Sequence, residues 1–231
     1  APTGATNVVF NSNDYAIRPA HVRFGTASTL GSFTVNLGSS VLDTSSVMTY
    51  ENTGSHFLNL ENSTVYISGE WKMLYGTGQI TADPGTSTVI IDGTSTITSN
   101  SQPFHNLYIG SATAGASVTT ADDLTVEADL LIYNGAATTL NISDDTLFVG
   151  GDLNLTNLDT FTVTNSTVTL NGSAAQTVTT AGKTYNELAV TNTAGATFAD
   201  AFTTADLTAV TADAHLYFEN GTTYTITGTL D

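Results

Sequence analysis

Two adjacent aspartate pairs, Asp122-Asp123 and Asp144-Asp145, are the first residues whose type and spacing suggest chemistry. Two carboxyl groups about 5–9 Å apart can divide the acid and base or nucleophile roles of glycoside hydrolysis. Both pairs, however, open onto alternating apolar triplets, where Asp starts turns by bonding its own backbone. We read them as turn formers. The same turns, together with Asp152, are the candidates for a Ca2+ site, because calcium takes carboxylate and carbonyl oxygens. Neither an EF-hand loop nor a Gly-Gly-x-Gly-x-Asp nonapeptide accompanies them. No other cofactor is expected.

Cations are scarce: Arg18, Arg23, Lys72 and Lys183 stand against 21 Asp+Glu, for a net charge of -17. A lyase acting on acidic polysaccharide needs clustered Arg or Lys to hold carboxylates and a developing oxyanion. Only Arg18 and Arg23 are close in sequence. His21, His56, His105 and His215 form no i, i+2 or i, i+4 ligand pair, and Cys is absent. We therefore expect no enzyme, no thiol chemistry and no Cys-based zinc site. Four dispersed cations cannot track a phosphate backbone, so nucleic acid is not an expected partner. No apolar run reaches the roughly 18 residues that span a bilayer, so membrane insertion is not expected.

The elements that would position these residues are short strands. About a fifth of the chain is Thr, and Val, Ile, Phe and Tyr crowd the apolar stretches. Such residues suit a pleated surface better than a helix. Apolar-x-apolar triplets begin at Val22, Val41, Val65, Val89, Leu107, Leu124, Leu147, Val168, Leu188 and Leu207. Each reads as a strand with one buried face. The interval is shortest from Leu107 to Leu124 and longest from Val41 to Val65 and from Val65 to Val89. This predicts an all-β chain: a parallel β-helix, or β-solenoid, of about ten coils near 20 residues each. The rival is a pair of antiparallel β-sandwich domains, for which Asn134-Gly135, Asn171-Gly172 and Asn220-Gly221 would supply hairpin turns.

A longer repeat overlies the short one. Ser87-Thr88-Val89 returns as Ser166-Thr167-Val168, 79 positions on. Phe104-His105-Asn106-Leu107 returns as Tyr185-Asn186-Glu187-Leu188, 81 positions on. These matches divide residues 20–231 into units near 20–103, 104–184 and 185–231, preceded by an N-terminal arm, 1–19.

The run Asn171-Gly172-Ser173-Ala174-Ala175-Gln176-Thr177, followed by Tyr185-Asn186-x-Leu188-x-Val190, resembles repeats of large prokaryotic surface proteins. These are the Thr/Asn/Gly-rich β-helix proteins of the filamentous-haemagglutinin or autotransporter-passenger kind. The resemblance covers residues 20–231 diffusely, and no N-terminal secretion domain accompanies it. It implies extracellular display at the cell surface, an adhesive or structural role, and no catalytic residues.

Surface glycans are a further expectation, with sequons at Asn62, Asn141, Asn154, Asn165, Asn171 and Asn220. The last strand pattern runs to Leu230, and the first begins near Val8. Open sheet edges there would let copies associate head to tail. The expected assembly residues are Val8, Val9 and Phe10 at one end, and Tyr224, Ile226 and Leu230 at the other. The expected function is that of a structural subunit or segment of a cell-surface fibre or adhesin; the alternatives are a carbohydrate-binding adhesin module using exposed Tyr15, Tyr50, Trp71, Tyr75 and Tyr133, and, behind it, a polysaccharide-active β-helix enzyme.

Overall fold

Ile17, Leu42, Val65, Val89, Leu107, Leu130, Leu153, Val178 and Phe198 lie one above another, each paired with the next in a parallel ladder. This column is the spine of a computed structural model that describes residues 8–12, 14–24, 32–49, 55–73, 80–133 and 137–231. Tyr50, Tyr75, Asn134-Gly135 and residues 1–7 of the expected arm lie outside the described residues, as does the side chain of Val8. Among the described residues there is no helix, and the strands form four parallel sheets. The chain is a β-solenoid. The sandwich alternative would require antiparallel strands, and every described ladder is parallel.

The sheets divide the work by position along the rod. A nine-stranded sheet runs from Val41–Thr44 to Leu216–Phe218. A seven-stranded sheet runs from His21–Phe24 to Thr160–Thr162. The remaining face is split. Its first part is a four-stranded sheet, from Val8–Asn11 to Ile80–Asp83, and its second a six-stranded sheet, from Leu124–Val126 to Thr225–Ile226. At the break, Phe104 bridges to Val126, while the side-chain oxygen of Gln102 accepts the Ala82 N–H at 2.8 Å. A glutamine amide thus takes up a backbone donor that the interrupted ladder would leave unpaired. Beyond Thr160–Thr162 the seven-stranded sheet ends. One long strand, Thr184–Val190, replaces two short ones, with the Tyr185 ring edge-on to Phe161 at 5.4 Å.

Nine strands in one sheet are joined by eight steps, so the solenoid makes about eight turns rather than the expected ten. The excess has a clear source. The triplet at Val22 sits in the seven-stranded sheet, those from Val41 to Leu107 in the nine-stranded sheet, and those from Leu124 onward in the six-stranded sheet. The steps from Val22 to Val41 and from Leu107 to Leu124 therefore change face. Within the nine-stranded sheet the coil is shortest from Val89 to Leu107 and longest from Leu153 to Val178. Eight steps of about 4.8 Å give a rod on the order of 40 Å.

The longer repeat also has a physical basis. Most coils turn one corner through a residue of positive φ: Gly38, Glu61 and Gly85 in the first half, Asp144 and Asn165 in the second. The corner at Gly38 is closed by the Ser40 N–H donating to the Leu37 carbonyl at 3.0 Å, and the one at Gly85 by Ser87 to Pro84 at 3.0 Å. In the first half this corner leads into the nine-stranded sheet, and in the second into the six-stranded sheet. Val89 and Val168 follow like corners but occupy different faces. The long-period matches are thus matches of corner and strand, displaced by one face.

Glycine is required where successive coils meet backbone to backbone. A Cβ on Gly93 would collide with the Ser68 carbonyl of the coil below. Inside the coils, Leu, Ile and Val fill the core, each contributing about 1.5–3 kcal/mol on full burial. His56 interrupts this filling. It is 4% exposed, sits between Phe33 and Ile80 in register, and has no hydrogen-bond partner for either ring nitrogen among the described residues.

Leu107→Ala should cost about 2–5 kcal/mol in urea unfolding, whereas Thr119→Ala, on an exposed strand position, should cost about 1 kcal/mol or less. Burial holds the His56 imidazole below its ordinary value of 6.5. The unfolded chain then takes up a proton that the folded chain refuses, so this contribution is intact above pH 6.5 and lost as pH falls below it. His56→Leu should flatten the acid-side fall in melting temperature, as read from scans between about pH 7 and 5.

Candidate functional site

Aspartates do a shared job at the coil corners. There the regular ladder lapses and backbone N–H groups of one coil face side chains of the next. Asp14 accepts the Ser39 N–H, Asp123 that of Thr146 and Asp152 that of Thr177, each at 2.7 Å. Asp129 accepts the Asp152 N–H at 2.8 Å, and Asp206 the Thr229 N–H at 2.7 Å. Asp200 accepts three bonds: from the Thr180 N–H at 2.6 Å, and from the Thr180 hydroxyl and the Ala181 N–H at 2.7 Å each. In all of these, donor and acceptor lie about one coil apart in sequence. The carboxylates stitch coil to coil, and charged acceptors make such bonds stronger than neutral ones.

This places the calcium candidates. Asp122 binds the Ser99 and Asn100 N–H groups, and Asp123 that of Thr146. Asp145 accepts the Thr120 hydroxyl, and Asp144 the Asn165 side-chain amide at 2.9 Å. Asp152 serves Thr177. Each candidate carboxylate is thus directed at a protein donor. Among the described residues, no group of three or more His, Cys, Asp or Glu is placed to hold a metal ion.

Amide side chains extend the stitching in a way the sequence reading missed. Asn36 donates to Asn11 at 2.7 Å and Asn59 to Asn36 at 2.6 Å, an asparagine ladder on the four-stranded sheet. Their separations, 25 and 23 positions, were the available signal. Gln176 is buried. Its amide nitrogen donates to the carbonyls of Val149 and Gly151, and its oxygen accepts from the Gly172 N–H and the Asn192 amide. Within the motif that carried the family resemblance, Gln176 is therefore a clamp between coils. Of the sequon asparagines, Asn62, Asn165, Asn171 and Asn220 are exposed, while Asn141 and Asn154 are half-buried on strands.

Trp71 requires a correction. It was expected to be an exposed aromatic, but it is 1% exposed and packs on Phe104 at 4.9 Å. Strand Trp71–Lys72 alternates, and the register pairs Trp71 with Val47 and Ile97, both interior. Tyr15 is exposed, and Tyr133 stands at the surface beside Tyr108, with ring centroids 6.1 Å apart.

The interior columns reach the surface at both ends of the described rod. At the first coil, Phe10 continues the interior position of Val35 and Leu58 and is 44% exposed, while Val9, 58% exposed, shares the outward position of Thr34 and Phe57. The strand carrying them, Val8–Asn11, pairs with Phe33–Asn36 and is the outermost of its sheet among the described residues. Inside that coil an apolar cavity of about 220 Å3 opens among Phe10, Ile17, Val22, Phe33, Val35 and Leu42. At the other end, Phe218 is 46% and Leu230 67% exposed on interior columns, while Tyr217 shares the outward position of Thr197. Ile226 is half-buried, on the outermost strand of the six-stranded sheet. Tyr224 is turned inward. Its hydroxyl donates to the Phe198 carbonyl and accepts the Glu219 N–H, both at 2.9 Å, and its ring packs against Phe202 and Phe218. It therefore braces the last coil and shows only part of itself to a partner.

Fold and surfaces define an acidic parallel β-solenoid with apolar, strand-edged ends. The chain matches no protein-family model, no curated protein and no solved structure.

Asp200→Ala should destabilise the chain by about 2–3 kcal/mol, because it leaves donors at a half-buried corner unpaired. Asp144→Asn, which suits the positive φ of that corner and alters one exposed amide contact, should shift urea unfolding by about 0.5 kcal/mol or less. Thermal melts in calcium and in chelator should coincide, since the candidate carboxylates are already engaged by protein donors.

Proposed function

We propose that this chain is a structural, extracellular subunit or segment of a cell-surface fibre or adhesin, stacking end to end through its terminal strands. The observation that carries the reading is the exposure of the interior columns at both ends. Phe218 lies in the same column as Ile17, and Leu230 continues the column of Leu188 and Leu207. An edge strand with unpaired N–H and C=O groups is a template for another strand. Strand addition would extend the ladder, and the apolar side chains would give it an interior. The occupant that such an edge accepts is a further parallel coil, which a second copy of this chain can supply. The first coil presents Phe10 on the split face, Ile17 in the column of the nine-stranded sheet and a cavity between them, and the other end presents Ile226 and Leu230 on the split face and Phe218 in the nine-stranded sheet.

Such a contact is heterologous: unlike surfaces meet, and the result is a line of subunits rather than a closed dimer. Charge works against it. With a net charge of -17, copies repel at low ionic strength, and salt relieves the repulsion. Surface display, glycans on the exposed sequons and an adhesive role belong to the same proposal, and the family resemblance supports them.

Light scattering and negative-stain images should show rods lengthening with protein concentration, and doing so more readily in about 0.5 M than in about 0.02 M salt. Leu230→Asp, at a side chain 67% exposed, should keep the protein monomeric with little change in melting temperature. Monomers at high concentration and high salt would reject the reading.

A further inference from the structure

The outer surface of the nine-stranded sheet carries a cleft of about 280 Å3, bounded by Tyr66 on one side and Tyr133 on the other. Register explains its form. Tyr66, Ile90 and Tyr108 occupy the same outward position in three successive coils. Ile90, 6% exposed, is the floor between two tyrosines. One position past the next inward residue stand Asp92, Gly110 and Tyr133, again in successive coils. Gly110, with φ of +82°, carries no side chain in the coil between those of Asp92 and Tyr133. The turn at Ser111–Ala114 makes a lip, held by the Ser111 N–H donating to the Ala114 carbonyl at 2.7 Å and the Ala114 N–H to the Ser111 hydroxyl at 3.1 Å. Ser111 and Thr113 face the cleft.

The electrostatics are one-sided. Burial, and after it the charge of Asp43, pushes the Asp92 carboxyl above the usual carboxylate range. Burial, Asp129 and Tyr133 together push the Tyr108 hydroxyl up. Among the described residues, no Lys or Arg lines the cleft. Arg18 is engaged by Asp43, at 3.8 Å. The walls thus include two tyrosine side chains, and the fixed charge among them is negative.

We propose that this cleft binds a small organic cation, with its ammonium head between Tyr66 and Tyr133 and the Asp92 carboxylate as counter-ion. Aromatic faces attract a cation placed within about 6 Å of the ring centre, and do so more strongly where water is partly excluded. A carboxylate that burial has partly stripped of water regains what it lost when a cation arrives. An anionic ligand meets repulsion from Asp92. A neutral sugar would find hydroxyl partners but no use for the field. This site stands on a side of the rod, apart from the terminal surfaces, and its test is independent of end-to-end assembly.

The test uses the whole chain at low protein concentration, titrated with choline by calorimetry and by tyrosine ring signals in NMR. Choline should bind, and its uncharged isostere 3,3-dimethylbutanol should bind about tenfold more weakly or not at all. Asp92→Asn and Tyr133→Ala should each weaken choline about three- to tenfold while melting as the parent does. Affinity should also rise with pH as Asp92 ionises, a dependence that Asp92→Asn abolishes. Equal binding of the isostere, tighter binding of N-acetylglucosamine than of choline, no titration up to about 50 mM, or folded variants that bind like the parent would each overturn the proposal.

Discussion

The whole structure depends on register in a parallel stack. A residue can bury an apolar side chain only if the residues one coil before and one coil after do the same. No coil closes its own core, so stability is a property of neighbours. The column through Val65, Val89, Leu107, Leu130 and Leu153 is the visible result. It tolerates loops of different length between coils, provided the chain returns to the same rung. This is why the short coil from Val89 to Leu107 and the long one from Leu153 to Val178 fit into one continuous ladder.

The acid excess acquires a structural meaning in this setting. A protein with four Lys+Arg cannot pair 21 Asp+Glu with side-chain cations. Many of its aspartates instead accept backbone N–H groups at corners, where strand pairing fails. Gln102, Gln176 and the Asn11–Asn36–Asn59 ladder do similar work without charge. The corners are held by side chains and the faces by main chain. The same aspartates leave the outer surface strongly negative, which shapes what can approach it.

Fold class was legible because period-2 alternation in Val, Ile and Thr leaves few options, and because the triplets recur at a nearly even step. The number of turns was not, since Val22, Val41 and Leu124 look alike as triplets and differ only in the face they join. Trp71 could be placed wrongly because one aromatic flanked by Glu70 and Lys72 reads as surface until its register with Val47 and Ile97 is known. Tyr133 was visible as an aromatic. Its neighbourhood with Tyr66 and Asp92 was not, because those residues stand three and two coils before it in chain order and meet it only through stacking. The aspartate pairs were readable as turn formers, but which N–H groups they serve could come only from the corners themselves.

Because every described ladder runs in one direction, the rod has a sense. One end shows the first coil's edge, the other the last coil's, and no rotation exchanges them. Any line built from such units inherits an arrow: it can be anchored by one terminus and elongated at the opposite one, as a vectorial polymer.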